Sequence, residues 1–429
     1  MNDEGRTNNY AEAHHHKVAG ELGMAHPNIW RFIDSMKLGQ KNLRYPEHPF
    51  NVPTSSVVEQ LNLVVNKTLE NENEDWEPTS FDFLINGVLL RTDLLEFVES
   101  HGLSSESVIK VECILQELAP EPDKDLPEND WVADLRANAK FLFSVNYSGE
   151  ISIWNLAKGT KLVTKQIDAD PLKCIDFLEI DSEQYVVVGA QNQALTLLKI
   201  CEEVVGKGST VELTPSIIFR GHQRSVECVA ANSDATRIVS GSFDQCLKVW
   251  NTRKDDEENT YMPLNNETAK KAKPETVTKT PMVTLEAHRE AVTGAKWNPI
   301  NEKQVVTVSW DHSMIVWDLE LAGPVGTMNS NKSFTSVSLN HSSGMAITGS
   351  ADPVIRLWDV RSKEGSMVKQ SFLGHQGWIS DLNVDVRSPR APLYNLIGHE
   401  DRVLTVDWSN PEVIASGAAD STIKTFKRS

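Results

Sequence analysis

From residue 47 to residue 115 the chain alternates turn signals with short apolar segments. Pro49-Phe50-Asn51-Val52-Pro53 reads as a clipped strand. The next segment sets Leu61, Val64, Val65 and Leu69 at i, i+3, i+4 and i+8, one face of a helix. Phe81-Asp82-Phe83-Leu84-Ile85 and Val88-Leu89-Leu90 flank Asn86-Gly87, a pair that favours a two-residue hairpin turn. A short helical piece over Asp93 to Ser100 and an alternating strand from Val108 to Leu115 complete a small α+β roll. Beyond Asn129 the rhythm changes to short apolar strands separated by small-residue turns.

That second pattern repeats, and the repeat sets the architecture. Its clearest unit opens at Gly221-His222, passes through Ile238-Val239-Ser240-Gly241-Ser242-Phe243-Asp244 and closes on Val249-Trp250-Asn251. It returns as Ala287-His288, Thr307-Val308-Ser309-Trp310-Asp311 and Val316-Trp317-Asp318, then as Thr348-Gly349-Ser350-Ala351-Asp352 with Leu357-Trp358-Asp359. Gly398-His399, Ser416-Gly417-Ala418-Ala419-Asp420 and Thr425-Phe426 form the last copy. A Gly-His pair, a small-residue turn with Asp and an apolar strand ending in Trp-Asp resemble the WD40 repeat, so the chain is expected to be mainly β, a seven-bladed propeller. In such a blade His precedes the first strand, Ser or Thr lies on the second, Asp in the turn and Trp on the third, joined in one buried hydrogen-bond network. His222, Ser240, Asp244 and Trp250 are one expected set, His288, Thr307, Asp311 and Trp317 a second, and His399, Ser416 and Asp420 a third. Their histidines then serve structure rather than catalysis or metal binding.

Weaker units at Phe143 to Ser148 with Ile153-Trp154, and at Val188 to Gln191 with Leu197-Leu198, bring the count to seven if Gly374-His375 opens a blade. That sixth blade is truncated: His288 to His375 spans 87 residues, His375 to His399 only 24. A propeller sheet packs on both neighbours, so a shortened blade is expected to leave a gap and expose strand edges. Residues 252–280 form a charged insertion, read as a disordered loop, whose Lys270-Lys271-Ala272-Lys273 is either a solvated run or an import signal.

In the front region, Phe81 to Gly87, Leu89-Leu90-Arg91-Thr92, Gly102-Leu103-Ser104-Ser105-Glu106 and Asn129-Asp130-Trp131-Val132 resemble the Notchless-type (NLE) ubiquitin-like domain and its junction with a propeller. With the charged insertion and Arg390-Ala391-Pro392-Leu393-Tyr394 before the last blade, the whole is similar to the WD-repeat subunit of the Pescadillo complex of large-ribosomal-subunit assembly. The resemblance implies a non-enzymatic assembly factor for the 60S subunit and pre-rRNA maturation, in the nucleus, nucleolus and nucleoplasm. It implies as partners Pescadillo, a block-of-proliferation-type WD protein, the pre-60S particle and the AAA ATPase midasin. Glu106 would complete the coordination of a metal held by midasin, because a hard cation with an open position takes a carboxylate oxygen from a partner. A Notchless-like factor and a substrate receptor of a ubiquitin ligase are the alternative readings.

That family opens with a strand near its N-terminus, and nothing before Tyr45 reads as one. Residues 1–44, with His14-His15-His16, are therefore expected to be an extension outside the family pattern, disordered or helical. The ubiquitin-like domain is then 45–118, lacking its first strand, followed by a linker over 119–128 and the propeller over 129–429.

Charge refines this picture. The chain carries a net charge of −18, and residues 51–135 hold 19 Asp and Glu against 4 Lys and Arg. An acidic front repels phosphate backbone and attracts basic or metal-bearing surfaces, so contact with rRNA is expected to be indirect. The same acidity also serves solubility. The five cysteines are scattered, without CxxC spacing, which points to buried thiols rather than a disulfide or zinc framework. No apolar run suits a membrane span, and no cofactor or metal of its own is expected.

Overall fold

The computed structural model describes residues 28–32, 50–53, 55–72, 76–85, 88–90, 92–100, 109–116, 119–205, 208–254, 260, 276–340, 343–361, 368–383 and 395–427. Two compact units meet along the chain between Ala119 and Pro120.

The front unit contains strands β1 (Asn28–Phe32), β2 (Phe50–Val52), β3 (Phe81–Ile85), β4 (Val88–Leu89) and β5 (Ile109–Leu115), with helices α1 (Val58–Glu72) and α2 (Leu94–Ser100). The sheet order is β2-β1-β5-β3-β4. β1 is antiparallel to β2 and parallel to β5, pairing Trp30 with Ile109 and Phe32 with Val111. The expectation that the first strand is missing is thus corrected: Asn28 to Phe32, rich in the aromatic and β-branched residues that suit a pleated surface, forms it. The unit therefore begins before residue 45, inside the segment read as an extension.

Leu61, Val64, Val65 and Leu69 of α1 are all buried against Phe81, Phe83 and Ile85, as the helical spacing requires. Two asparagines pin helix to sheet in the manner of a strand edge. Asn62 accepts from Phe81 N at 2.6 Å and donates to Phe81 O at 2.8 Å, while Asn66 does the same for Thr79 N and O. Ile85 pairs with Val88, so the β3–β4 connection is two residues long. Asp93 caps α2, its carboxylate accepting from Glu96 N at 2.8 Å.

The second unit holds six sheets among the described residues, not seven. Blade one runs Val132–Ala137, Phe141–Asn146, Glu150–Asn155, Thr160–Gln166, and blade two Leu172–Ile180, Glu183–Ala190, Leu195–Val205, Gly208–Phe219. Blade three runs Val226–Ala231, Arg237–Ser242, Cys246–Asn251, Val283–Glu286, and blade four Val292–Trp297, Gln304–Ser309, Ser313–Asp318, Gly323–Asn329. Blade five is Phe334–Leu339, Ala346–Ser350, Asp352–Trp358, Val368–Leu373. The last blade is Val403–Asp407, Val413–Ala418, Thr422–Lys427, and its outer strand is Glu121–Pro127.

That outer strand corrects the expected linker over 119–128: Leu126 pairs with Ile423 and the N-terminal edge of the unit closes the ring. The insertion 252–280 is also shorter than read, because Val277–Lys279 adds a parallel fifth strand to blade two. Residues 270–273 and 14–16 lie outside the described residues.

The sixth expected blade is absent as a sheet, yet its place in the ring is kept. Residues 378–383 occupy it as a single innermost segment. Ile379, nearly buried, covers the bare Cα of Gly349 as Val292 covers Gly241 and Val132 covers Gly417. Asp381 accepts from Val406 N of the last blade at 3.1 Å, as Asp134 of blade one accepts from Ile175 N of blade two at 2.9 Å. The ring therefore keeps a position there although no strand of that blade is formed among the described residues. Among the described residues, no helix is long and apolar enough to cross a membrane.

Candidate functional site

The histidine networks form where the repeat spacing puts their members. His222 Nδ1 lies 2.8 Å from Asp244 and Nε2 2.7 Å from Ser240 Oγ, which also accepts from Trp250 Nε1 at 2.8 Å. In blade four the set is His288, Asp311 at 3.0 Å and Thr307 at 2.7 Å, with Trp317 donating to Thr307 at 2.7 Å. In the last blade His399 meets Asp420 at 2.9 Å and Ser416 at 2.8 Å, and Phe426 stands where Trp would be. Each Asp also accepts from the backbone N–H after its histidine. These groups are largely buried and hydrogen-bonded to one another.

Burial holds the His222 and His288 imidazoles below their ordinary range in spite of the neighbouring carboxylates. Burial pushes the Asp244 carboxyl up, but the His222 contact and the N–H groups of Gln223 and Cys246 together carry it well below the usual range. Burial and hydrogen bonds from Thr422, Glu400 N and His399 leave Asp420 at about 2.

Blade one builds the same hub from a residue the repeat pattern does not mark. Glu128, its side chain 1% exposed, accepts from Ser144 at 2.7 Å, Ser152 at 3.0 Å and Trp154 Nε1 at 2.8 Å, and pairs with Lys161 at 3.1 Å. Its signal in the sequence is distance: Glu128 precedes Ser144 by 16 residues, close to the 18 between His222 and Ser240.

Near the axis, Arg136 lies 3.2 Å from Asp134 and 3.4 Å from Asp176, beside a cavity of about 360 Å³ also lined by Lys296, Asp381 and Asp407. Burial raises the Asp134 carboxyl against the pull of Arg136. Ser336 and Thr405 donate to Asp381, and Ala137 N to Asp407, so these carboxylates stitch one blade to the next. Among the described residues, no group of three or more His, Cys, Asp or Glu side chains is placed to hold a metal ion.

The strand-entry face carries side chains that the repeat pattern does not single out. Residues just after the second strand, Tyr147, Phe243 and Trp310, bond through their N–H groups to residues at the entry of their blade's first strand. Trp131 and Tyr147 meet edge-on at 5.7 Å, and Phe243 and Trp310 at 5.1 Å. Arg402 lies 5.8 Å over the Trp131 ring and Lys173 4.1 Å over the Tyr147 ring. Glu106, the expected partner-binding carboxylate, lies outside the described residues, between α2 and β5.

Comparison with known proteins places this geometry. Residues 31–98 match the NLE (NUC135) domain family, and residues 213–251, 279–318, 323–359 and 390–427 match the WD domain, G-beta repeat. A ribosome biogenesis protein WDR12 homolog of Brugia malayi is 47% identical over 405 residues, covering 89% of this chain and 92% of that protein. The Caenorhabditis briggsae homolog is 38% identical over 422 residues (90% and 92%), and that of Ixodes scapularis 32% over 422 residues (91% and 97%). In fold the chain is similar to the crystal structure of the WD40 β-propeller domain of Doa1, with a TM-score of 0.54 at 17% identity, over 72% of this chain and 97% of that one.

Proposed function

This chain belongs to the WDR12 family of ribosome biogenesis proteins, and we propose that it is a non-enzymatic assembly factor of the large subunit, working in the nucleolus and nucleoplasm. The propeller scaffolds a Pescadillo-type complex, with a block-of-proliferation-type WD protein, on the pre-60S particle. The front unit offers midasin a grip: Glu106 supplies a carboxylate to the metal that midasin holds, and force from the ATPase strips the complex from the particle.

The observation that carries this reading is the front sheet. Its order β2-β1-β5-β3-β4, with β1 parallel to β5, suits a ubiquitin-type roll, and the segment bearing Glu106 joins α2 to β5. The net negative charge of this stretch speeds approach to a cationic site. The non-enzymatic part rests on the hubs, whose Ser, His and Asp side chains are bound to each other.

A pull-down from nuclear extract with the intact chain and with Glu106→Ala tests the reading. Both should recover Pescadillo, and only the intact chain midasin. Recovery of midasin by both defeats the role of Glu106, and absence of any pre-60S component from both defeats the assembly function.

A further inference from the structure

The strand-entry face of the propeller carries a row of rings and cations that the hubs do not use. It starts in the last blade with Arg402 over Trp131, passes edge-on to Tyr147 of blade one, and continues to Lys173 of blade two over the Tyr147 ring. Lys173 then shares a shallow depression of about 410 Å³ with Arg224 and Phe243 of blade three. Phe243 meets Trp310 of blade four edge-on, which ends the row. Gln191, Gln193 and Gln223 supply amide groups to the same depression.

We propose that this row binds single-stranded RNA directly, through the propeller and apart from any docking by the front unit. Three features favour that ligand. Trp310, which meets Phe243 edge-on, is 44% exposed, so that end of the row offers a ring on which an unpaired base stacks. Lys173, Arg224 and Arg402 lie among the rings of the row, where they could meet the phosphates of a strand whose bases stack there. Glutamine amides both donate and accept, which suits the edges of any base without choosing among them.

The acids beside the row are engaged in hydrogen bonds with neighbouring loop groups. Asp130 accepts from Trp131 N at 2.8 Å and Asp401 from Arg402 N at 2.6 Å. Asp168 accepts from Asn192 and from Asp170 N, and Glu227 from Ser225 Oγ. Of the row's members only Trp131 falls in the acidic stretch 51–135 from which indirect rRNA contact was expected; the others lie beyond it. A protein partner is the competing occupant, since Trp, Tyr and Arg also dominate protein interfaces.

The test is fluorescence anisotropy of a labelled single-stranded RNA dodecamer with the full chain across a series of salt concentrations. Three phosphate contacts at roughly 0.7 each give a log affinity against log salt slope of about −2. Trp310→Ala should weaken binding about tenfold, and Arg224→Glu should weaken it and flatten the slope by roughly 0.7 or more. All these side chains are at the surface, so the thermal midpoint should not move; should either variant be poorly folded, Arg402→Glu at the other end makes the same test. No binding, equal binding of duplex RNA, or binding untouched by the variants overturns the proposal. So does loss of a protein partner with RNA binding intact, which assigns the row to protein instead.

Discussion

Blade three and the sixth position of the ring begin alike and end differently. In each, the first residue of the innermost segment, Val226 or Ile379, covers a glycine of the preceding blade, Gly189 or Gly349. Blade three then adds three strands and locks them with His222, Ser240 and Trp250. The sixth position adds no described strand, and still its segment stays in register. Ile379 N donates to Ser350 O at 3.2 Å, Thr335 donates to Ile379 O, and Asp381 gathers Ser336, Thr405 and Val406 N from both sides. The difference teaches that ring position is set by bonds between innermost strands, whereas the histidine hub holds a blade's outer strands to its inner ones. Blade five beside it is less covered: its third strand Asp352–Trp358 is half-buried almost throughout, while Cys246–Asn251 and Ser313–Asp318 are mostly buried. Leu373, Trp378 and Ile397 are 75%, 73% and 82% exposed there.

The comparison is broken most severely inside blade three. Trp250 is fully buried, fills the space beside Phe219 and satisfies Ser240. Trp250→Ala should lower the free energy of the propeller's unfolding transition by about 4 kcal/mol, the usual cost of emptying a large aromatic site, as read from urea titrations. A loss below about 1 kcal/mol would show that the hub is dispensable. At the sixth position Ile379→Ala should cost about 2 kcal/mol, less because a smaller side chain is removed. A loss equal to that of Trp250→Ala would mean that the inner segment, not the hub, limits stability.

Blade one sharpens the contrast, since it keeps all its strands without a histidine. Glu128→Gln retains the shape and one acceptor but loses the charge facing Lys161, so a decrease of about 1 kcal/mol is expected. Glu128→Ala, which strands Ser144 and Trp154 Nε1 in the interior, should cost clearly more. Equal effects would show that the carboxylate is not the hub.

How much of this was legible in the residues depends on where each signal lives. Blades three and four could be read because one histidine, one hydroxyl, one Asp and one Trp recur at fixed spacing. Blade one hid its hub because Glu128 replaces the marker residue. Residues 121–127 passed for a linker because only Leu126 is buried, so the outer strand has no apolar alternation to read. The first front strand was missed because Asn28–Phe32 is five residues long and pairs with segments far along the chain. The ring-and-cation row could not be seen at all, since each blade contributes only one or two of its members and adjacency arises from closing the ring.

The smallest expected effect separates blades three and four from blade one by pH. The His222 ring is sealed in its blade beside Trp250, with Asp244 at Nδ1 and Ser240 at Nε2. His288 is held in the same way between Asp311 and Thr307. Burial accordingly keeps both imidazoles below their ordinary range. The unfolded chain takes up protons near pH 6.5, where the fold does not, so it binds more protons on the acid side and gains relative to the native state. Stability should therefore be full above about pH 7 and decline below about 6.5, by at most about 1.4 kcal/mol per pH unit for each histidine. The lowered carboxyls of Asp244 and Asp311 extend the loss in the same direction through the acid range near pH 4 and below. Urea midpoints of the propeller transition at neutral and mildly acidic pH check this. His222→Gln should start from a lower midpoint and fall less steeply than the unaltered chain, while Glu128→Gln should keep the full slope. A His222→Gln slope as steep as that of the intact protein would remove blade three from the proton balance.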